Sequence, residues 1–260
     1  MTATDIEYGP LETAFTLHAG GASLPVRAPL PGAFNVSNML AASAAALALG
    51  VAPEHIRAGL EEIGALSGRM ERIDAGQPFL VLVDFAHTPN ALARAIAAAR
   101  GMVGVTSDEL RVTSEESSEL VTRVIAVFGS AGKRDVEKRR LMAAAAARTA
   151  DLTVLTAEDP RTESLDDILA TMAEAARAAG GVEGETFWRV PDRGRAIYFA
   201  LTLARPGDVV LICGKGHEQS MAFGTVEYPW DDRTAARAAL AAWARGAAMA
   251  DLGLPTFTRD

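Results

Sequence analysis

The chain has 260 residues, 49% of them hydrophobic and 22% charged, an apolar content that can build one large domain or two small ones. Its net charge of -8 and pI near 5.1 argue against a general nucleic-acid or anionic-membrane surface, which needs a basic face. The lone Cys213 excludes an internal disulfide and a cysteine-rich zinc site, and it suits a reducing compartment.

The N-terminal MTATDIEYG has no basic stretch leading into an apolar run, so no signal peptide is expected. No apolar run approaches the roughly 20 residues of a bilayer span, and the expected location is the cytoplasm. Alternation on either side of Gly20-Gly21 predicts a β-hairpin over 12–18 and 23–28. Asn35 is the expected cap of a helix ending at Gly50, and Pro53 opens a second helix ending near Gly64. A hairpin and two helices supply too few strands for a sheet buried on both faces, so this block reads as the end of a domain.

The pattern changes at 67–76, and strands then alternate with helices. Apolar strands are expected at 79–84, 124–128, 152–156 and 209–213. Helices are expected after Pro89 and over 136–150, 165–179 and 192–204. Continuous apolar strands between helices predict an α/β, Rossmann-like domain with a mostly parallel sheet covered on both faces. The polar stretch 105–118 reads as a surface insertion, and the tail after Gly246 is weakly patterned.

Open parallel sheets bind ligands beyond the carboxyl ends of their strands. Here those ends carry Asp84-Phe85-Ala86-His87, then Gly129 to Asp135, then Glu158-Asp159-Pro160-Arg161, then Gly214-Lys215-Gly216-His217-Glu218. Solubility alone does not place charge or glycine at four strand ends while leaving the strands apolar. The expected crevice gathers carboxylates, guanidinium groups and a lysine, which suits a zwitterionic substrate together with a nucleotide. Plainer readings remain open: Asp84 as a helix cap, His87 as a structural histidine, 129–132 as a simple turn. The glycine run is no P-loop, because the G-x-x-x-x-G-K-[ST] spacing is absent and Arg134 stands where Ser or Thr would meet magnesium. In residues 214–218, two glycines allow close backbone approach to a ligand, and Glu218 suits an ammonium group. No G-x-G-x-x-G follows the first strand, which argues against a dehydrogenase.

Taken in order, GRMERID at 68–74, VDFAHTPNAL at 83–92, FGSAGKRDVEKRRLM at 128–142, EDPR at 158–161, GKGHE at 214–218 and DDR at 231–233 resemble the MurE family of Mur ligases. GAFNVSN at 32–38 resembles the end of that family's central ATPase domain. The resemblance implies an ATP- and magnesium-dependent ligase that joins an amino acid to UDP-MurNAc-L-Ala-D-Glu in peptidoglycan synthesis. It divides the chain into 1–67, the close of the central domain, and 68–260, the amino-acid-binding domain. It places Asn35 and Asn38 near adenine, Arg69 at the phosphates, and Asp84 with His87 at the ribose. Arg134, Glu158, Asp159, Arg161, Gly214 and Glu218 then form the acceptor pocket. The phosphate-gripping P-loop, the metal-binding residues and the UDP-binding domain have no counterpart in the sequence, so no catalytic or metal-binding residue is expected within it and the chain alone should be inactive. The missing N-terminal and central domains, the UDP-MurNAc-dipeptide and the acceptor are the expected partners.

The sequence departs from the family at EDPR, usually DNPR. Asn to Asp at 159 points to a more cationic acceptor, while Arg161 points to a second carboxylate and hence meso-diaminopimelate; lysine and ornithine stay open. Lys133 stands where an acidic residue is common, and Val136 where lysine is common. The competing readings are another ligase of the superfamily (folylpolyglutamate synthetase, MurF or cyanophycin synthetase type) and a non-catalytic Rossmann-like binding module.

Overall fold

Residues 13–19, TAFTLHA, alternate strictly, so a strand through them turns Phe15, Leu17 and Ala19 to one side. In the computed structural model, which describes residues 1–9, 12–64, 66–109 and 123–257, these three side chains are buried in strand β2 (Thr13–Ala19). β2 pairs antiparallel with β3 (Ala22–Ala28) through a two-residue turn. Gly20 and Gly21 both have positive φ there, 58° and 85°, as a tight hairpin turn requires. The hairpin is as expected to within a residue. A third strand, β1 (Thr2–Tyr8), was not expected; it is almost wholly exposed and pairs with β2 at the sheet edge through an irregular register. Its strand character comes from that pairing, because its own residues carry no apolar alternation.

Helices α1 (Ala33–Ala48) and α2 (Pro53–Glu62) cover this sheet, with Val36, Met39, Ile56 and Leu60 meeting Phe15, Leu17 and Val26 in one core. Asn35 does not cap α1. Gly32 holds that position, and the Asn35 N–H already bonds the Gly32 carbonyl at 2.9 Å. The Asn35 amide instead donates back to the Pro31 carbonyl at 2.8 Å. Gly50 ends the helix at φ 84°, in the left-handed conformation such ends favour.

The chain divides into two compact units, the first made of Met1–Leu66 and Gly101–Glu109, the second of Ser67–Arg100 and Leu110–Asp260. The second unit carries a six-stranded sheet in the order β4-β5-β9-β6-β7-β8, formed by β4 (Glu71–Arg72), β5 (Leu80–Asp84), β6 (Val124–Phe128), β7 (Leu152–Leu155), β8 (Phe187–Arg189) and β9 (Val209–Cys213). β4 is antiparallel and the other neighbours are parallel. All five residues of β5, β6 and β9 are buried, because helices cover both faces. On one face Val81, Val83, Ile125, Val127, Val210 and Ile212 pack against α6 (Arg193–Leu203) and α7 (Asp232–Ala244). α3 (Pro89–Glu109), α4 (Val136–Thr149) and α5 (Leu165–Ala178) complete the helices among the described residues.

β4, β8, the hairpin β10 (Ser220–Phe223) with β11 (Val226–Pro229), and α7 were not expected. The expected surface insertion at 105–118 is corrected in its first part, since α3 runs on to Glu109; the remainder lies outside the described residues. The tail is less idle than its pattern suggests, for Met249 and Leu254 join the core. Among the described residues no helix is long and apolar enough to cross a membrane.

The path of the chain explains where a site belongs. From β5 it passes over to β6, then moves outward through β7 and β8, and returns to insert β9 between β5 and β6. Such a reversal leaves a crevice beyond the carboxyl ends of the central strands.

Candidate functional site

β5, β9, β6 and β7 are consecutive neighbours in the sheet, so the four outgoing segments lie side by side. They enclose a cleft of about 460 Å³ whose walls include His87, Arg134, Glu158, Asp159, Arg161, Gly214 and Glu218. Seven of the predicted residues are thus brought together. Phe85, Ala131, Asp135 and Lys138 also line the cleft and were not predicted. Arg69 and Asp84 are not in its wall, and Asn35 and Asn38 belong to the first unit, where the Asn38 amide donates to the Asn35 side-chain oxygen at 3.2 Å.

Asp84 ends β5 with both carboxylate oxygens engaged, accepting from Met70 N and Ala86 N at 2.8 Å each. Burial raises its pKa, against those bonds and the nearby Arg69 charge. The bond to Met70 anchors the segment carrying Arg69, whose guanidinium lies over the Phe85 ring at 4.8 Å. The rings of His87 and His217 also pack on Phe85, at 4.5 and 4.8 Å. His87 Nδ1 donates to the Phe85 carbonyl at 2.9 Å, which fixes the ring beside the cleft.

The glycines at these strand ends serve close packing within the protein. A Cβ on Gly214 would lie 2.3 Å from the Glu158 Oε2 atom, and one on Gly68 would lie 2.2 Å from the Gly216 carbonyl carbon. Gly214 is packed in this way and also lines the cleft. Arg233 belongs to the same join. It bonds Ser67 and Asp231 and stands 3.9 Å from Glu71, whose carboxylate accepts from Gly68 N at 2.8 Å.

Among the described residues, four of the five non-glycine residues at positive φ, namely Met70, Lys133, Asp159 and Arg161, lie in the segments around these strand ends. Such backbone is held only where the surroundings over-determine it. β10 provides the hold for two of them. Arg161 N donates to the Ala222 carbonyl at 3.0 Å, and the Arg161 carbonyl accepts from Gly224 N at 2.7 Å. Lys133 N donates to Glu163 at 2.8 Å, and the same carboxylate takes a forked pair of bonds from the buried Arg139 at 2.8 and 3.1 Å. These bonds hold the pKa of Glu163 down to about 2, the Arg139 bond foremost.

The charges in the cleft are unequally satisfied. Lys215 is only 2% exposed and pairs with Asp159 at 2.9 Å and Glu218 at 2.7 Å. Asp159 Oδ1 also accepts from Ala222 N at 2.9 Å. Glu158 is buried, and its Oε2 has no hydrogen-bond partner among the described residues. Burial pushes its pKa up to about 7 against the nearby positive charges of Arg193, Lys138 and Lys215. Among the described residues, neither the Arg134 nor the Arg161 guanidinium is paired with a carboxylate. The cleft therefore offers two unpaired cationic forks and a buried carboxyl in need of a donor. No three His, Cys, Asp or Glu side chains among the described residues gather where they could hold a metal ion.

A reversal-point cleft lined by opposed charges on a mixed, mostly parallel sheet marks an α/β protein of the open-sheet kind. Residues 68–216 match the family model described as Mur ligase, glutamate ligase domain, and the chain belongs to the Mur ligase family. It is 47% identical over 215 residues to a UDP-N-acetylmuramyl-tripeptide synthetase of Roseiflexus sp. (strain RS-1), covering 83% of this chain and 39% of that protein. It is 40% identical over 239 residues to a UDP-N-acetylmuramoyl-L-alanyl-D-glutamate--2,6-diaminopimelate ligase of Streptomyces coelicolor, covering 92% and 44%. A solved structure of a ligase of that second name superposes with a TM-score of 0.60 at 32% identity, covering 93% of this chain and 45% of that one. The chain thus spans less than half the length of the curated relatives it matches.

Proposed function

We propose that this chain supplies the pocket for the incoming amino acid in an ATP-dependent ligase that extends UDP-MurNAc-L-Ala-D-Glu during peptidoglycan synthesis. The observation carrying this reading is the pairing, within one cleft, of unpaired Arg134 and Arg161 with the unpartnered carboxyl of Glu158. Arginine forks match carboxylates in two-point geometry, and a buried carboxylate gains most from an ammonium partner. A dibasic amino acid presents both groups.

The acceptor that fits best is meso-diaminopimelate. The Asp at 159 weighs less as a cue for a more cationic ligand, because Lys215 offsets its charge and its Oδ1 already accepts from Lys215 and Ala222 N. Arg161 keeps its charge free for a second carboxylate, which diaminopimelate has and lysine and ornithine lack. In ligases of this kind ATP activates the acid as an acyl phosphate. The residues of this chain orient the attacking amine and hold the far end of the amino acid. Arg69, exposed above Phe85, is free to meet phosphate. Asp84 keeps lone pairs for a ribose hydroxyl beside His87; in the first unit, Asn35 and Asn38 keep the role of adenine-side residues. Residues 1–67 are read as the close of the nucleotide-binding domain and 68–260 as the acceptor domain. The phosphate grip and the UDP-sugar site come from protein outside these residues, so the chain alone should turn over no ATP.

Calorimetric titration with meso-diaminopimelate, lysine and ornithine tests the reading. Diaminopimelate should bind most tightly, and Arg161→Ala should weaken it by about 2 kcal/mol, in the range for a hydrogen bond to a charged group, while leaving lysine almost unchanged. Equal losses for both would remove Arg161 from the distal carboxylate.

A further inference from the structure

The DDR run at 231–233 adds nothing to the wall of the cleft, yet its middle residue grips a guanidinium lying just behind that wall. Arg193 opens α6, where Asp192 caps the helix by accepting from Arg195 N at 2.9 Å. Arg193 and Asp232 are both 0% exposed, and Arg193 donates to the two Asp232 oxygens at 2.7 Å each. Trp230 Nε1 donates to the same carboxylate at 2.8 Å, so Asp232 is itself fixed. The remaining Arg193 bonds go to two carbonyls, Ala157 at 3.1 Å and Cys213 at 2.8 Å. Ala157 immediately precedes Glu158, and Cys213 immediately precedes Gly214.

Those carbonyls stand just beyond β7 and at the end of β9, strands that are not neighbours in the sheet, for β6 lies between them. No ladder of backbone bonds therefore sets the distance between the two loops that leave them. We propose that Arg193, oriented by Asp232, is a positioning residue for the acceptor pocket, holding residues 158–161 and 214–218 at the separation that a ligand between them requires. The claim takes the identity of the ligand from the acceptor reading above, while the positioning itself concerns the two loops. A planar five-donor fork can bond a carboxylate and two carbonyls at once, and an ammonium cannot reproduce that geometry. Glu158 senses Arg193 from α6, Lys138 from α4, Lys215 from the loop after β9, and its own neighbour Asp159.

The test uses the 260-residue chain as wild type, Arg193→Lys, Arg193→Met and Asp232→Asn, each checked for a cooperative unfolding transition. The Lys and Asn variants keep the size of the side chain and carry the test if the Met variant does not fold. Three quantities are read: backbone amide resonances of both loops, the carboxyl carbon-13 titration of Glu158, and the Kd for meso-diaminopimelate. Folded variants should move the resonances of both loops and weaken diaminopimelate by about tenfold, as a loosened supporting shell does. Arg193→Met should also raise the titration midpoint of Glu158, since a nearby cation is gone; that shift reports the lost charge alone, and the positioning is read from the loops and the Kd of Asp232→Asn and of the charge-retaining Arg193→Lys. Folded Arg193→Lys and Asp232→Asn variants whose loops stay unmoved, or whose Kd stays within about twofold, overturn the proposal. If the wild type binds no diamino acid while these variants still move both loops, the positioning stands and the acceptor reading falls.

Discussion

Replacing Glu158 by glutamine removes a buried carboxyl whose pKa is pushed up from 4.5 to about 7. At 1.36 kcal/mol per pH unit, that gap amounts to about 3 kcal/mol of folding free energy. The sign follows from where the proton sits. Below pH 4.5 the carboxyl is protonated in both the folded and the unfolded chain and makes no pH-dependent difference. Between 4.5 and about 7 the folded chain keeps the proton that the unfolded chain loses, so stability falls as pH rises. Above that window both forms are ionised and the full penalty remains. Wild type should therefore lose about 3 kcal/mol relative to Glu158→Gln on going from about pH 4.5 to about pH 8. Urea unfolding at several pH values measures this. Trp188, Trp230 and Trp243 all lie in the second unit, so tryptophan fluorescence reports that unit alone. A stability difference that stays constant across the window would refute the burial argument. The ligand should act in the opposite sense: an acceptor ammonium favours ionised Glu158, so affinity should rise from about pH 6 to about pH 8 with proton release on binding.

Three further outcomes follow from the same geometry. Gly132→Ala puts a Cβ 1.9 Å from the Pro160 carbonyl oxygen and should destabilise the second unit by about 1–3 kcal/mol, as forced overpacking does; an unchanged urea midpoint would show that the two loops can part freely. Lys215→Met leaves Asp159 and Glu218 without their cation. Breaking such a buried pair costs about 3 kcal/mol or more, read by the same denaturation, and a neutral result would mean solvent already screens the pair. The Cys213 thiol is buried, and burial first of all raises its pKa well above the ordinary value. Alkylation in native buffer should therefore proceed only through unfolding and accelerate across the urea transition; rapid native labelling would place the end of β9 nearer to solvent.

The charge arrangement gives the strand-end loops more structural work than their composition suggests. Lys133, Asp159 and Arg161 all sit at positive φ, and each is held by a neighbouring segment. Glu163 and Arg139 fasten the loop after β6, and the β10 hairpin fastens the loop after β7. The free cations Arg134 and Arg161 thus project from backbone that is fixed before any ligand arrives. Preorganised charge of that sort lowers the ordering cost of binding.

Much of the second unit was legible in the amino-acid sequence. β5, β6 and β9 are runs of apolar residues buried on both faces, so they need no partner to be recognised. The strand-end rule then singled out most of the cleft wall, because ligand groups cannot lie within an apolar run. Other features depend on the partner more than on the residue. Glu71-Arg72 is a strand only because β5 offers an edge, and β1 exists by pairing with β2. Asn35 has the composition of a helix cap, but Gly32 at φ 94° takes that position and turns the Asn35 amide towards Pro31. The insertion of β9 between β5 and β6, which brings residues 214–218 against residues 158–161, joins segments more than fifty positions apart. Local pattern holds no record of such an approach. The same is true of Lys215, a lysine in a glycine loop by sequence and a buried cation between two carboxylates in the fold, and of Arg193, whose partner Asp232 lies on another helix. Side-chain type and periodicity determined which residues face a cleft. Tertiary packing decided which of their charges remain free, because pairing and desolvation depend on neighbours that only the folded chain supplies.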